Sequence, residues 1–158
     1  MRKRMREKPE VLAVPAGVEI RRKAGEVGEA GEGGEGGRWC RAGEEYGHWT
    51  EMYVDGAFAG ECRCLYGENY IKTTGKRLLY LDYLEIKSEY QGRGLGRILL
   101  REALVTGYAA GSTETTLTAD ATNFAAMSLY RSEGWEPIDL LFEFQQKEPE
   151  GLLKIRSW

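Results

Sequence analysis

The chain has 158 residues, of which 42% are hydrophobic and 30% charged, so it is long and apolar enough for one domain with a buried core. Its net charge of −3 gives no general reason to expect nucleic-acid or membrane binding, no apolar run approaches the ~20 residues of a membrane helix, and no signal core follows the basic residues 1–6. Three cysteines argue against a disulfide framework and predict a reducing, cytoplasmic environment.

The first 37 residues are predicted to precede the main domain, which is placed at residues 38–158. Residues 1–15 are interpreted as a loose basic tail, either a solvated end or a contact for an anionic partner such as RNA. Residues 18–23 predict a first strand. Residues 24–37 contain mainly Gly and Glu, offer almost no apolar surface, and predict a flexible segment.

Antiparallel strands are predicted over residues 38–66. Asp55-Gly56 between two β-favouring runs is the signal of a tight hairpin. Residues 67–69 and 73–75 are predicted as turns before the next strand.

A zinc site is the weaker interpretation of the cysteines and the single histidine. Cys62 and Cys64 are two residues apart, so on a strand they share one face. Cys40 and His48 lack the spacing of zinc ligands. We therefore expect these residues to pack in the core, and we expect no metal.

The most informative stretch predicts a strand, a glycine turn and a helix. Residues 78–87 are mostly apolar and aromatic, as in a strand covered on both faces, and helical spacing begins at Leu95. A helix start carries unpaired N–H groups and the positive end of the helix dipole, and Arg93 and Arg97 add full charges. The three glycines within residues 91–96 allow close approach to the backbone, so the turn predicts a phosphate or pyrophosphate site.

Two further elements are predicted after this helix. Residues 113–119 are rich in threonine and predict a strand beside residues 78–87. A second helix follows Asn123 and ends at Gly134. Residues 138–145 and 152–158 then predict a final hairpin.

The glycine turn and the second helix together resemble a known family. Gln91-x-x-Gly94-x-Gly96 is neither the dinucleotide G-x-G-x-x-G pattern nor a P-loop, and it resembles the acetyl-CoA signature of the GNAT N-acetyltransferase superfamily. Residues 123–135, NFAAMSLYRSEGW, resemble the later helix of that family. The resemblance covers roughly residues 78–145 and implies an α/β (α+β) GNAT fold with a mixed central sheet flanked by helices. The family usually has one or two helices where this chain has its Gly/Glu segment, so reduced N-terminal helices are expected.

The resemblance also implies where acetyl-CoA binds. Pyrophosphate is expected at the glycine turn, and pantetheine is expected along the backbone of the central strand, where a bulge splays it from the next strand. Asn123 is expected either beside the pantetheine or as a helix cap. The acetyl-CoA-binding residues implied in this way are Leu84, Glu85, Ile86, Gln91, Gly92, Arg93, Gly94, Leu95, Gly96, Arg97, Asn123 and Tyr130.

Acetyl transfer to an amine needs a route for the amine proton. A lysine-like ammonium with a pKa of ~10.4 costs about 4.6 kcal/mol to deprotonate at pH 7. Asp82 is the preferred catalytic base, because many family members carry an acidic residue there that works through water, and Glu85 is the second candidate. The two residues are three apart and should face opposite sides of an ideal strand. Structural roles for both are the alternative.

Tyr130 coincides with the family tyrosine that donates to the leaving sulfur. A phenol near pKa ~10 protonates a thiolate near ~8.5 at a cost of roughly 2 kcal/mol, so donating a hydrogen bond is easier than full proton transfer. The alternative is a core tyrosine on the apolar face of the helix.

The sequence thus predicts an N-acetyltransferase that moves an acetyl group from acetyl-CoA to a primary amine of a small molecule or protein by direct attack. One alternative is a catalytically inactive acyl-CoA-binding regulatory module, and another is a nucleotide-binding domain that uses the glycine turn. The sequence indicates no membrane partner and no clear nucleic-acid partner, and it leaves open whether the chain forms a homodimer.

Overall fold

The computed structural model describes residues 1–26 and 45–140, and its strands form one six-stranded sheet. The strands are β1 (Arg2–Arg4), β2 (Val18–Glu26), β3 (Glu45–Val54), β4 (Ala57–Gly67), β5 (Arg77–Ile86) and β6 (Ser112–Leu117). The helices are α1 (Glu68–Thr74), α2 (Leu95–Ala109) and α3 (Phe124–Ser132), and a short 3₁₀ helix spans Ser88–Tyr90. The order across the sheet is β1-β6-β5-β4-β3-β2, with β5 and β6 parallel and the other neighbours antiparallel. The predicted mixed sheet flanked by helices is therefore confirmed.

Helix α2 makes the crossover that the parallel pair β5 and β6 requires. Leu99, Leu100 and Leu104 on its apolar face have no exposed surface. Full burial of each leucine contributes roughly 1.5–3 kcal/mol, so this face fixes the helix on the sheet. We call the sheet face under α2 the inner face and the opposite one the outer face.

The hairpin of β3 and β4 is confirmed at the predicted turn. Asp55 and Gly56 both have positive φ, 49° and 81°, as a two-residue turn with the right twist requires. The inner face of β4 carries Cys62 and Cys64, which are both buried. The expectation that the two cysteines share a face is therefore confirmed.

The loose-tail interpretation of residues 1–15 is wrong for the first five residues. Arg2–Arg4 form β1, which pairs with β6 and is bridged on its other side to Glu136. Met5 is 3% exposed within the core. The Lys3 ammonium donates to the Glu133 carbonyl and lies 5.1 Å from the Trp135 ring centroid. Side chains alternate between the two faces of β1, so Arg2 and Arg4 both reach Glu114 while Lys3 reaches the Glu133 carbonyl.

Of the other predicted elements, the turns after β4 are corrected, the first strand is confirmed, and the rest fall mostly outside the described residues. Most of the residues predicted as turns, at 67–69 and 73–75, belong instead to α1. This helix packs Ile71 against the core and is followed by its C-cap, Gly75, which has φ of 68°. The predicted first strand is present and extends to Glu26. The described residues do not include the boundary at residue 38, most of the Gly/Glu segment, or the predicted final hairpin apart from residues 138–140, which form no strand. Strands β1 and β2 both belong to the sheet.

Candidate active site

A bulge in β5 gives the site its geometry. Pairing between β4 and β5 shifts at this point, since Arg63 pairs with Tyr83 and Cys64 with Leu81, which leaves Asp82 as the extra residue. A bulge inserts one residue and re-aims the side chains that follow it. The bulge implied by the family resemblance is thus present at Asp82.

The bulge corrects the expectation that Asp82 and Glu85 face opposite sides. Buried Leu81 lies on the inner face before the bulge, and Leu84 and Ile86 lie on it afterwards. Asp82 and Glu85 are therefore both on the outer face, where both are exposed. The period-2 rule fails here because the extra residue shifts the alternation by one.

Beyond the bulge, β5 loses its parallel neighbour. The register between β5 and β6 ends where Leu81 pairs with Leu117, although β5 continues to Ile86. Among the described residues, the β6 side of residues 82–86 has no strand partner. This leaves a gap bordered by backbone N–H and C=O groups, which have the chemistry to hold an extended amide-bearing ligand.

The glycine turn lies at the end of β5 and leads directly into α2. Gly92 and Gly94 have φ of 74° and 76°, a backbone region that favours glycine, and Gly94 is the N-cap of α2. A Cβ atom at either position would meet nothing within 4 Å, so the turn is open to a ligand. The Gln91 side chain donates to the Ile86 carbonyl at 2.8 Å, which ties the turn to β5. Arg93 is exposed beside it.

Arg97, on the first turn of α2, is held by the end of α3. Its Nε atom lies 3.2 Å from a Glu133 carboxylate oxygen, and its Nη2 atom donates to the Ser132 hydroxyl at 2.9 Å. The sequence analysis missed Glu133 and Ser132. One signal was available, because a glutamate at a helix C-terminus opposes the helix dipole and needs a compensating tertiary contact.

Tyr130 lies on the inner face near Cys62. The strand partner of Cys62 is Leu84, in the part of β5 that has no partner on its β6 side among the described residues. The side chain is 6% exposed, and its ring makes an edge contact with Trp135 at 5.8 Å between centroids. Burial, with a smaller contribution from Cys62, raises the pKa of Tyr130 to about 12. The phenol therefore stays protonated at neutral pH and is available as a hydrogen-bond donor.

Three carboxylates form a row across the outer face beside Asp82. Glu51 is paired in register with Glu61, and Glu61 with Glu85. Their compensating contacts are Lys23 at 2.6 Å and the Tyr53 hydroxyl at 3.0 Å for Glu51, Arg63 at 2.5 Å for Glu61, and the Tyr83 hydroxyl at 2.7 Å for Glu85. Burial and the hydrogen bond to Glu85 raise the pKa of Tyr83 to about 12. Like charges directly opposite are destabilising, and the contacts with Lys23, Arg63 and the Tyr83 hydroxyl offset this repulsion.

Two other sequence predictions can be placed. Asn123 is the N-cap of α3, where its side chain accepts from the Ala126 amide at 3.1 Å. His48 has both ring nitrogens engaged, at 3.1 Å from the Ala103 carbonyl and 2.9 Å from the Tyr66 hydroxyl. Within residues 1–26 and 45–140, no group of three histidine, cysteine or acidic side chains could hold a metal ion. Cys40 lies outside the described residues.

The sequence model described as the Acetyltransferase (GNAT) family matches residues 20–135, which is most of the chain. The chain belongs to this family. Among curated proteins, none matches the sequence significantly. Of the helices in the described part of the chain, none is both long and apolar enough to cross a membrane.

Solved structures with the same fold include aminoglycoside acetyltransferases. The enzyme meta-AAC0020 from an uncultured soil metagenomic sample matches in its trehalose complex with 17% identity, a TM-score of 0.61, and coverage of 83% of this chain and 97% of that one. Its sisomicin complex matches with 20% identity, a TM-score of 0.55, and coverage of 64% and 66%. Aminoglycoside N-acetyltransferase AAC(6')-Iy in complex with CoA matches with 14% identity, a TM-score of 0.54, and coverage of 68% and 70%. At these identities the matches show a common fold.

The buried tyrosines predict a loss of stability at alkaline pH. Burial raises the pKa of Tyr66 to about 12, as it does for Tyr130. Because an unfolded tyrosine titrates near ~10, the folded state favours the protonated phenol, and its stabilisation is complete below pH ~10 and is lost as pH rises through ~12. We expect the free energy of unfolding in urea to fall by roughly 2 kcal/mol per tyrosine between pH 9 and 12. A Tyr130→Phe variant should show a shallower fall, and equal slopes would contradict the assignment.

Proposed function

We propose that this family member is an acetyl-CoA-dependent N-acetyltransferase that acts on a primary amine in the cytoplasm. One observation carries the proposal: beyond the bulge, the edge of β5 that faces away from β4 has no strand partner among the described residues, and it runs from Asp82 to the glycine turn. Tyr130 lies near Cys62, the strand partner of Leu84 on this part of β5. A donor bound along this edge would supply an activated acetyl group as a thioester. The protein would supply the orientation of that group and a proton path.

The residues of the turn fit a pyrophosphate. The open backbone at Gly92 and Gly94, the start of α2, and the guanidinium groups of Arg93 and Arg97 give donors and positive charge at one place. Backbone groups of residues 82–86 can bind the amides of a pantetheine arm, as two strands bind each other. The proposal therefore keeps Leu84, Glu85 and Ile86 as donor contacts through their main chain.

Asp82 is the better of the two candidate bases. Among the described residues, its carboxylate has no hydrogen-bond or ion-pair partner, whereas one Glu85 oxygen accepts from Tyr83. Both carboxylates are on the outer face, so either could accept a proton from an incoming amine directly or through water. Glu61 and Glu51 are ion-paired with Arg63 and Lys23, whereas Asp82 and Glu85 form no ion pair among the described residues. These two carboxylates would therefore attract an acceptor that carries further positive charge.

Tyr130 would act by donating a hydrogen bond to the sulfur as negative charge develops. A phenol with a pKa of about 12 would give its proton to a thiolate of pKa ~8.5 only at a cost of about 4.8 kcal/mol. Full proton transfer from Tyr130 is therefore unfavourable even to the free thiolate, and it is less favourable still to the thioester sulfur before the carbon–sulfur bond breaks. A fixed donor that strengthens its bond as the thiolate forms needs no such transfer.

The Tyr130→Phe variant tests this role. It should keep the affinity for acetyl-CoA and lower kcat on the order of 100-fold, because one donor to a developing anion is removed. Calorimetric titration measures the affinity, and free-thiol detection measures the rate. A kcat equal to that of the unsubstituted protein from pH 6 to 9 would return Tyr130 to a packing role.

The proposed function itself is tested by calorimetric titration with acetyl-CoA, with ATP and NAD as controls, followed by assay of released thiol with a panel of amines. Because several of the similar structures are aminoglycoside acetyltransferases, aminoglycosides head the panel, with polyamines, lysine peptides and N-terminal peptides after them. Selective binding followed by turnover supports the proposal. Selective binding with no turnover on any amine would favour an acyl-CoA-binding regulatory module, and preference for ATP or NAD would favour a nucleotide-binding domain.

A further inference from the structure

A buried carboxylate at the end of α3 has an unusual number of cationic neighbours. The Glu133 side chain is 3% exposed and accepts from Arg101 through Nε at 2.8 Å and Nη2 at 3.3 Å. The same carboxylate lies 3.2 Å from Nε of Arg97. Lys3 donates to the backbone carbonyl of this residue at 2.5 Å. Glu133 therefore joins β1, α2 and the end of α3.

The position of Glu133 has a cost that packing alone does not explain. A carboxylate is desolvated there, and the negative end of the helix dipole of α3 is nearby. Its two arginines offset these terms, but a neutral side chain would avoid them. This cost indicates that the Glu133 carboxylate serves the placement of its two arginines.

Arg97 lies in the first turn of α2, next to the glycine turn in the chain. It is the third residue of the helix, and helical side chains lean toward the helix N-terminus. The Glu133 carboxylate lies beside Nε of Arg97, and the Ser132 hydroxyl accepts from Nη2. The N–H groups of Nη1 on the other side of the guanidinium have no partner among the described residues. A guanidinium fixed along one edge presents the opposite edge in a defined direction.

We propose that Glu133 is a positioning residue that holds the guanidinium of Arg97 in place for the pyrophosphate of the donor. Arg101 fixes the carboxylate, the carboxylate fixes Nε of Arg97, and the free edge of Arg97 faces the turn. The inference rests on the proposed donor site and extends it to a residue that has no contact with the donor.

The sign of the effect separates positioning from simple charge. Glu133 is a negative group near an anion site, so by Coulomb's law its removal should strengthen phosphate binding. Positioning gives the opposite result, because a mobile Arg97 must be ordered when the donor binds. Glu133→Gln tests the loss of charge, and Glu133→Asp keeps the charge but shortens the reach.

The experiment is a double-mutant cycle on the dissociation constant for acetyl-CoA, measured by calorimetry. Glu133→Gln and Glu133→Asp should each weaken binding about tenfold, within the range of couplings between contacting residues. In an Arg97→Met background, Glu133→Gln should change the dissociation constant by less than about twofold. Glu10→Gln is the matched control: Glu10 pairs with Arg101 at 3.4 Å but is exposed, and this change should leave binding unchanged.

One further variant and three defined outcomes separate the positioning role from its alternatives. Ser132→Ala removes the exposed hydroxyl partner of Arg97 and should weaken binding about threefold. If the Glu133 variants unfold, unchanged binding by Ser132→Ala would contradict the claim that restraint of Arg97 assists donor binding. If the wild-type protein binds acetyl-CoA and Glu133→Gln binds it as tightly or more tightly, the positioning role is overturned. The role is also overturned if Glu133→Gln weakens binding as much in the Arg97→Met background as in the wild-type protein. No acetyl-CoA binding by the folded wild-type protein would instead overturn the proposed function.

Discussion

Deleting residues 2–5 should lower the melting temperature by roughly 10–20 °C, because β1 is part of the sheet. The deletion removes the pairing of Arg2–Arg4 with β6 and the amide of Met5, which donates to the Thr113 carbonyl at 2.7 Å. It also removes the buried Met5 side chain, worth roughly 2 kcal/mol. With several hydrogen bonds at about 1 kcal/mol each, the loss is on the order of 5 kcal/mol, a large part of the stability of an ordinary domain.

Substitutions of exposed residues in the same segment provide the control. Arg6→Ser and Lys8→Ser remove positive charge without touching the strand, so each should change the melting temperature by less than about 2 °C. Met5→Ser should reproduce about half of the deletion effect, since it empties the core site and keeps the ladder. A deletion variant that melts with the intact protein would show that β1 is not part of the folded sheet in solution.

The sequence predicted those elements whose signals are local. Asp55-Gly56 defines a hairpin within four residues, and the switch of period at Leu95 marks the start of α2. Strand β1 was not predicted because the positive charges of residues 1–6 were interpreted as those of a solvated tail. The alternation of Met1, Lys3 and Met5 with two arginines, which is a strand pattern, was the stronger signal.

The site was predicted less completely because its geometry depends on contacts distant in sequence. Alternation along a strand places Asp82 and Glu85 on opposite faces, and only the register of β4 against β5 reveals the bulge that puts them on one face. The restraint of Arg97 by Glu133 joins residues that are 36 positions apart. A motif names a residue type at a position, but it does not say what holds that side chain.

Gly94→Glu should abolish measurable acetyl-CoA binding, with a loss on the order of 100-fold or more. The new side chain would enter the open space in front of α2, where the proposed pyrophosphate approaches the backbone. Two negative groups ~4 Å apart repel by about 1–4 kcal/mol at the edge of a protein, and the side chain also blocks the N–H groups of the helix start. Calorimetric titration at constant salt is the measurement.

Backbone strain must be separated from the loss of the site, because Gly94 has φ of 76°. Gly111, beyond the other end of α2, has φ of 92° and the same open space for a Cβ atom. Gly111→Glu should therefore cost a similar 1–2 kcal/mol in stability and leave acetyl-CoA binding intact. Gly94→Ala, which carries the strain without the charge, should bind with an intermediate affinity. If Gly94→Glu binds as tightly as Gly111→Glu, the glycine turn is a structural connection and the donor site lies elsewhere.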